Sequence, residues 1–383
     1  HLERNELPQS LDLFRRILEE QRRKHGRALA RSGDSADSAS GSAAAHVAAS
    51  PAVGASLHNV GLVLSRLGRH EEALMALDEA LSVRRAALGR SHGEVALTQI
   101  QRGTALLHMS RLDEAVDAYR DALRALRKQP RTSGRRDEEN GGSGESGDNG
   151  AGGSSSVDRG RHEAEALSRL GFLYFEAGEL LASGASFEDA IDAYRSVLKS
   201  RRKKLKKNRR DSRGGVSKEG DESDDAVKRA FAETLCNLGS VQSKKKQFKE
   251  AIQSFLEALE IQRALRGDSD GPAAIATMDN LAFAFAKSRD YDGAINVYED
   301  MLQAQLSYHG HYHDEYSRTL GKMCLLEERR KSYAAALECA REILALKERK
   351  YHSSSPGGAH PSVERARGMV SRLEQQVARG GRS

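Results

Sequence analysis

Tryptophan is missing from this 383-residue sequence, and aromatic residues make up only 5% of it. With a mean hydropathy of −0.64, the chain has little material for one large compact core. Proline is scarce as well. Pro8, Pro51, Pro130, Pro272, Pro356 and Pro361 all stand at the edges of periodic apolar segments, where helices tolerate them. The three cysteines, Cys236, Cys324 and Cys339, have neither the even-numbered framework of a disulfide scaffold nor a C-x-x-C metal spacing, which points to a reducing compartment. No apolar run approaches the roughly 18 residues of a membrane-spanning helix; Leu281 to Ala286 is a piece of amphipathic helix. The sequence opens on His1 with no charged-then-apolar leader, so it is read as an excerpt with something missing upstream.

Signatures of catalysis are missing too. There is no Walker-type glycine loop, no nucleophile elbow and no H-E-x-x-H, and the chain is read as a non-enzyme without a cofactor. His309, His311, His313 and Asp314 have ligand-like alternation and are weighed as a metal site, but the run coincides with a loop between repeats and no metal is assigned.

What the sequence does have is Ala, Leu, Glu, Arg and Lys outside the Gly/Ser-rich stretches, which favours helix over strand. Charged residues make up 30% and the net charge is +6, too small an excess to select a partner by itself. Compared with itself, the chain shows a ladder of small residues: Gly61, Gly103, Gly171, Gly239, Ala282 and Cys324. Three steps span 42, 43 and 42 residues, and the two middle ones 68 each. A second ladder runs through Ala73, Ala115, Ala190, Ala251, Ala294 and Ala336, followed four residues later by Leu77, Tyr119, Tyr194, Phe255, Tyr298 and Ala340. Three further on come Ala80, Ala122, Val197, Ala258, Met301 and Ile343, on the same helical stripe. This alignment gives the third unit about seven extra residues around Glu179 to Ala185. Each unit is thus a pair of helices packed through a small residue against a large one, and a fixed period of this size predicts a solenoid.

The pattern Leu57-x-x-Val60-Gly61-x-x-Leu64 with Gly68, Ala73, Leu77 and Ala80 resembles a tetratricopeptide repeat, and Leu235-x-x-Leu238-Gly239 with Phe248, Ala251, Phe255 and Ala258 matches again. The 42-residue spacing is similar to the repeats of kinesin light chains, as is the connecting Gly89-x-x-His92-x-x-x-Ala96; Gly310, His313 and Ser317 nearly reproduce it. The resemblance implies an all-α, right-handed superhelical solenoid of antiparallel helix pairs. Its units are the second helix of a truncated repeat over 1–25, repeats 1–2 over 51–128, repeat 3 over 161–200 and repeats 4–6 over 226–350, with a loop and capping helix over 351–383. Residues 26–50, 129–160 and 201–225 have Gly/Ser- and charge-rich compositions that bury too little to order, and are read as disordered insertions.

The resemblance also implies that the first helix of each pair lines a concave groove. Two residues before the small anchors stand Asn59, Gln101, Arg169, Asn237, Asn280 and Lys322, and amides there suit a peptide backbone, which needs a donor and an acceptor together. Five after the anchors come Arg66, Lys244, Lys287 and Arg329, with His108 and Glu176, a lean that favours acidic segments. The clamp positions of chaperone-tail binders read His58 with Leu62, Cys236 with Ser240, and Asp279 with Phe283, against that ligand.

The expected function is a cytoplasmic scaffold or adaptor, similar to the cargo-binding repeats of kinesin light chains, holding extended and acidic segments of partner proteins. The basic run Lys199 to Arg210 keeps two alternatives open, a nuclear import signal or a nucleic-acid contact, although no aromatic interleaves it for base stacking. These repeats are also read as a possible arm of a larger multidomain protein.

Overall fold

In the computed structural model the described residues are 7–32, 50–128, 156–211, 218–265, 271–309, 314–351 and 360–380. Among them all regular structure is helical. The chain forms two compact units, His1–Gly215 and Val216–Ser383.

The first unit contains α1 (Leu7–Ser32), α2 (Pro51–Arg66), α3 (His70–Leu88), α4 (Gly93–His108), α5 (Leu112–Lys128), α6 (Ser156–Glu176) and α7 (Leu180–Asp211). The second contains α8 (Lys218–Lys244), α9 (Phe248–Ala264), α10 (Pro272–Lys287), α11 (Tyr291–His309), α12 (Asp314–Arg329), α13 (Tyr333–Tyr351) and α14 (Pro361–Gly380). The pairs α2/α3, α4/α5 and α6/α7 in the first unit, and α8/α9, α10/α11 and α12/α13 in the second, are six antiparallel hairpins.

Small-against-large packing closes each hairpin. A Cβ built on Gly61 would lie 2.6 Å from Leu77 Cγ, one on Gly103 2.9 Å from the Tyr119 ring, and one on Gly239 2.7 Å from the Phe255 ring. In repeat 6 the sizes trade places, with buried Cys324 in the glycine position and Ala340 in the large one.

Repeat 3 differs from the sequence alignment. The Gly171 Cβ position is 2.8 Å from the ring of Phe187, not Tyr194, and Ser183 stands in the alanine place. There are no seven extra residues. Ser183 is buried because its Oγ donates to the Gly171 carbonyl at 2.7 Å, so the hydroxyl is satisfied in a space cut for a methyl group.

Every turn inside a hairpin has one design. Seven residues after each anchor comes a residue with positive φ: Gly68, Ser110, Gly178, Lys246, Arg289 and Lys331. The next residue's N–H bonds back into the last turn of the first helix, as from Arg69 to Leu64 O at 2.9 Å and from Gln247 to Gln242 O at 2.8 Å. This 6→1 closure holds the two helices antiparallel.

Repeats 1 and 2 join through the Gly-x-x-His motif. Gly89 (φ 83°) ends α3, and the Nδ1 of His92 accepts from the Glu94 N–H at 3.2 Å, capping α4. His360 caps α14 in the same way through Ser362 N–H at 3.2 Å. Pro51, Pro272 and Pro361 open their helices, where no hydrogen bond is lost.

Helix extends into segments assigned above to insertions. Helix α1 runs to Ser32, α7 continues through the basic run to Asp211, and α8 starts at Lys218. Lys, Arg and Leu are good helix formers, and a hairpin helix already nucleated extends through them at little cost. The rest of 26–50, 129–160 and 201–225 lies outside the described residues, except Ser50, 156–160 and these helical ends.

Candidate functional site

The first helices are held by their buried sides. In α2, for example, Val53, Leu57, Val60, Gly61 and Leu64 face the stack, so the residues two before, one after and five after the anchor share the opposite stripe. The structure keeps the sequence-derived residues on such stripes. In the first unit Asn59 and Gln101 are half-buried, and Arg66 and Arg169 are exposed. In the second unit Asn237 and Lys322 are half-buried, while Asn280, Lys244, Lys287 and Arg329 are exposed.

Neighbouring first helices are joined across this face. Lys322 Nζ donates to Asp279 Oδ1 at 2.5 Å, linking α12 to α10, so this ammonium is already engaged. The Cys236 thiol lies 3.1 Å from Thr277 Oγ1, linking α8 to α10, and burial raises its pKa. On the first unit the His70 ring stacks on His108 at 4.8 Å. Burial, then His70, then Arg169 lower the His108 pKa.

Residues one after the anchor add an apolar component. Phe172, Phe283 and Leu325 are 37%, 49% and 58% exposed, each immediately following Gly171, Ala282 or Cys324. The Lys287 ammonium sits 5.2 Å from the centroid of the Phe283 ring, a cation–π distance. The sequence signal for these was a large apolar residue on a stripe that packing leaves open.

His311 and His313 lie outside the described residues, and the Asp314 carboxylate accepts from Lys350 at 2.6 Å. Among the described residues no group of three or more His, Cys, Asp or Glu is arranged to hold a metal. All three cysteines are unpaired; Cys324 and Cys339 are buried, and burial pushes their thiols up to about 11 and about 12. Among the described residues no helix is long and apolar enough to cross a membrane.

The tetratricopeptide repeat family model matches residues 53–128 and 230–307. No curated protein sequence matches the chain. Among solved structures, BtubC (BKLC) from P. vanneervenii is similar with a TM-score of 0.50 and 13% identity, over 80% of this chain and 94% of that one. The assembly chaperone of RpL4 (Acl4) is similar with a TM-score of 0.50 and 15% identity, over 86% and 98%. Kinesin light chain TPR-like repeats of Podosopora anserina align with 15% identity and a TM-score of 0.42, over 68% and 98%. These likenesses concern the fold. Together with the small-and-large ladder and the repeated turn, the family model identifies residues 53–128 and 230–307 as tetratricopeptide repeats.

Proposed function

We propose that this chain is a non-catalytic adaptor that binds extended peptide segments of partner proteins along its first-helix faces, in the manner of kinesin light chain repeats. Tetratricopeptide repeats are protein-interaction scaffolds in general. The finer reading is supported above all by one observation: Asn237 and Asn280 occupy the same position on consecutive first helices, with Lys244 and Lys287 seven residues on in both. The amides offer a donor and an acceptor to successive peptide groups, and the ammonium groups with Arg329 favour carboxylates. Phe283 and Leu325 supply apolar contact between them.

The test begins with proximity labelling and pull-down using the intact chain, to obtain a partner segment. Calorimetry then compares the parent with the double variant Asn237→Ala, Asn280→Ala. Loss of the backbone hydrogen bonds should weaken binding by about 1–3 kcal/mol with stability nearly unchanged. A parallel variant, Lys203→Ala in the basic end of α7, should bind as the parent does. Unchanged affinity in the asparagine variant together with loss in the lysine variant would move the site off the first-helix face.

A further inference from the structure

The first helix of repeat 2 carries polar residues where the other five first helices are apolar. Four residues before the small anchor stand Leu57, Leu167, Leu235, Met278 and Leu320, and all five are buried. Immediately before the anchor stand Val60, Leu170, Leu238, Leu281 and Met323. Helix α4 has Gln99 and Arg102 in these two places. Arg102 reaches α3, where its Nε donates to Asp78 Oδ1 at 2.6 Å. Gln99 reaches α5, where its Nε2 donates to Asp121 Oδ2 at 3.2 Å.

The result is a polar cleft between α3, α4 and α5. It has one chamber of about 590 Å³ and a neighbouring one of about 380 Å³, and Arg85, Arg90, Gln99 and Asp121 line both. Across the two chambers five cations, Arg85, Arg90, Arg102, Arg124 and Lys128, meet two carboxylates, Asp78 and Asp121, which leaves three positive charges in surplus. Both carboxylates are already shared, Asp78 with Arg102, and Asp121 with Arg85 at 3.8 Å and Arg124 at 2.5 Å. Among the described residues Arg90 and Lys128 have no ion-pair partner.

Gln99 is a second sign of a ligand. It is 3% exposed, and its Oε1 has no hydrogen-bond partner. Turning the amide over would set that oxygen against the Asp121 carboxylate, so the orientation is fixed and the acceptor stays open. A buried acceptor without a donor is destabilising, and leucine would fill this place without that penalty.

We propose that this cleft binds a phosphorylated sugar, its phosphate held by Arg90, Arg124 and Lys128 and its hydroxyls donating to Gln99 and the two carboxylates. The surplus of guanidinium and ammonium groups suits a dianionic phosphate. The acceptors beside them call for hydroxyl donors, which a dicarboxylate lacks. Among the described residues no aromatic side chain lines either chamber, so nothing is there to stack on a nucleobase. The volume suits a small molecule, whose sites span about 300–1,000 Å³. This cleft is separate from the candidate peptide face, because Gln99 stands two residues from Gln101 and so about 200° around α4.

Glucose 6-phosphate and fructose 1,6-bisphosphate are titrated into the intact protein by calorimetry at about 0.15 M salt, where diffuse surface attraction is screened. Saturable binding of at least one is expected, with glucose, inorganic phosphate and AMP weaker by about tenfold or more. Arg90→Ala, on the exposed turn after α3, should weaken the sugar phosphate by about tenfold or more. Gln99→Leu should do the same with the urea midpoint unchanged or raised, because it installs the residue that most other repeats carry. A lowered midpoint with unchanged affinity would make Gln99 a structural residue and overturn the proposal. If Gln99→Leu loses both stability and binding, Arg90→Ala decides, since it leaves the packed seam alone. No saturable binding of either sugar phosphate, affinity indifferent to Arg90→Ala, or equal binding of glucose, inorganic phosphate or AMP would each overturn it. So would tighter, Arg90-dependent binding of a phosphoserine peptide, which would assign the cleft to a phosphorylated protein.

Discussion

The ring of Phe255 occupies the space where a side chain on Gly239 would begin, with ring carbons 2.7–2.9 Å from the Cβ position. Gly239→Leu should therefore force α8 and α9 apart and destabilise the second unit by about 1–3 kcal/mol. Glu260→Leu on the exposed side of α9 should stay within about 0.5 kcal/mol in the same urea titration. Repeat 6 suggests a compensation, since Cys324 faces Ala340 there. The double variant Gly239→Cys, Phe255→Ala should be more stable than the sum of its single changes requires. Strict additivity would mean that the two positions do not touch.

The six identical turns differ in one respect. Gly68 and Gly178 adopt positive φ freely, whereas Lys246, Arg289 and Lys331 carry a Cβ into the left-handed region. Replacing any of these three by glycine should raise stability by about 0.5–1 kcal/mol and increase Tm. The reverse change, Gly178→Ala, should lower it by a similar amount. No Cβ contact within 4 Å opposes that substitution, so the effect would report backbone conformation alone.

These turns also show what the sequence discloses and what it hides. The anchors and their large partners were legible, because contact between close helices leaves a small-and-large code at fixed spacing. The turn was legible only at Gly68 and Gly178, since lysine or arginine in a left-handed turn leaves no compositional mark. Repeat 3 was misread for a related reason. Serine can replace alanine when its hydroxyl finds Gly171 O, and Ala190 lies seven residues, or two helical turns, further along the same stripe, where it looks like the missing alanine. Along the candidate face, the shared stripe position of Asn237 and Asn280 was legible, but the engagement of Lys322 by Asp279 was not. That pair lies 43 residues apart and meets only once the first helices stack.

In the first unit the stack should form without the segment between α5 and α6. The two helices meet directly, with Leu123 and Leu126 in one cluster with Ala166, Leu167 and Leu170, and with Arg127 paired to Glu163 at 3.0 Å. Replacing residues 131–155 by a short Gly/Ser linker changes only the closure entropy, which varies slowly with loop length. Helical content by circular dichroism and the urea midpoint should change little. Loss of a cooperative transition would show that the segment takes part in packing.

Acid should unfold the first unit through its histidines. His58 of α2 is buried against Arg84, whose guanidinium donates to Thr98 Oγ1 and the Glu94 carbonyl and pairs with the Glu94 carboxylate at 2.7 Å. The His58 Nδ1 has no hydrogen-bond partner, so a proton there would be unsolvated and beside a cation. Burial first and Arg84 second push its pKa down to about 3, and burial with Arg161 brings His162 to about 4. Both folded values lie below the unfolded value of about 6.5. The unfolded chain therefore takes up these protons first, and the stability present above about pH 6.5 is lost as pH falls toward the folded values. At about pH 4.5 each histidine should cost about 2–3 kcal/mol, at roughly 1.4 kcal/mol per unit. Carboxylates also titrate in this range, so the measurement is a difference. Urea titrations of the parent and of His58→Leu at several pH values between 7.5 and 4.5 should give curves that converge as the pH falls, because the variant lacks one of the two acid-sensitive groups. Parallel curves would mean that His58 takes up its proton in the folded state as readily as in the unfolded one, against the burial that the structure gives it.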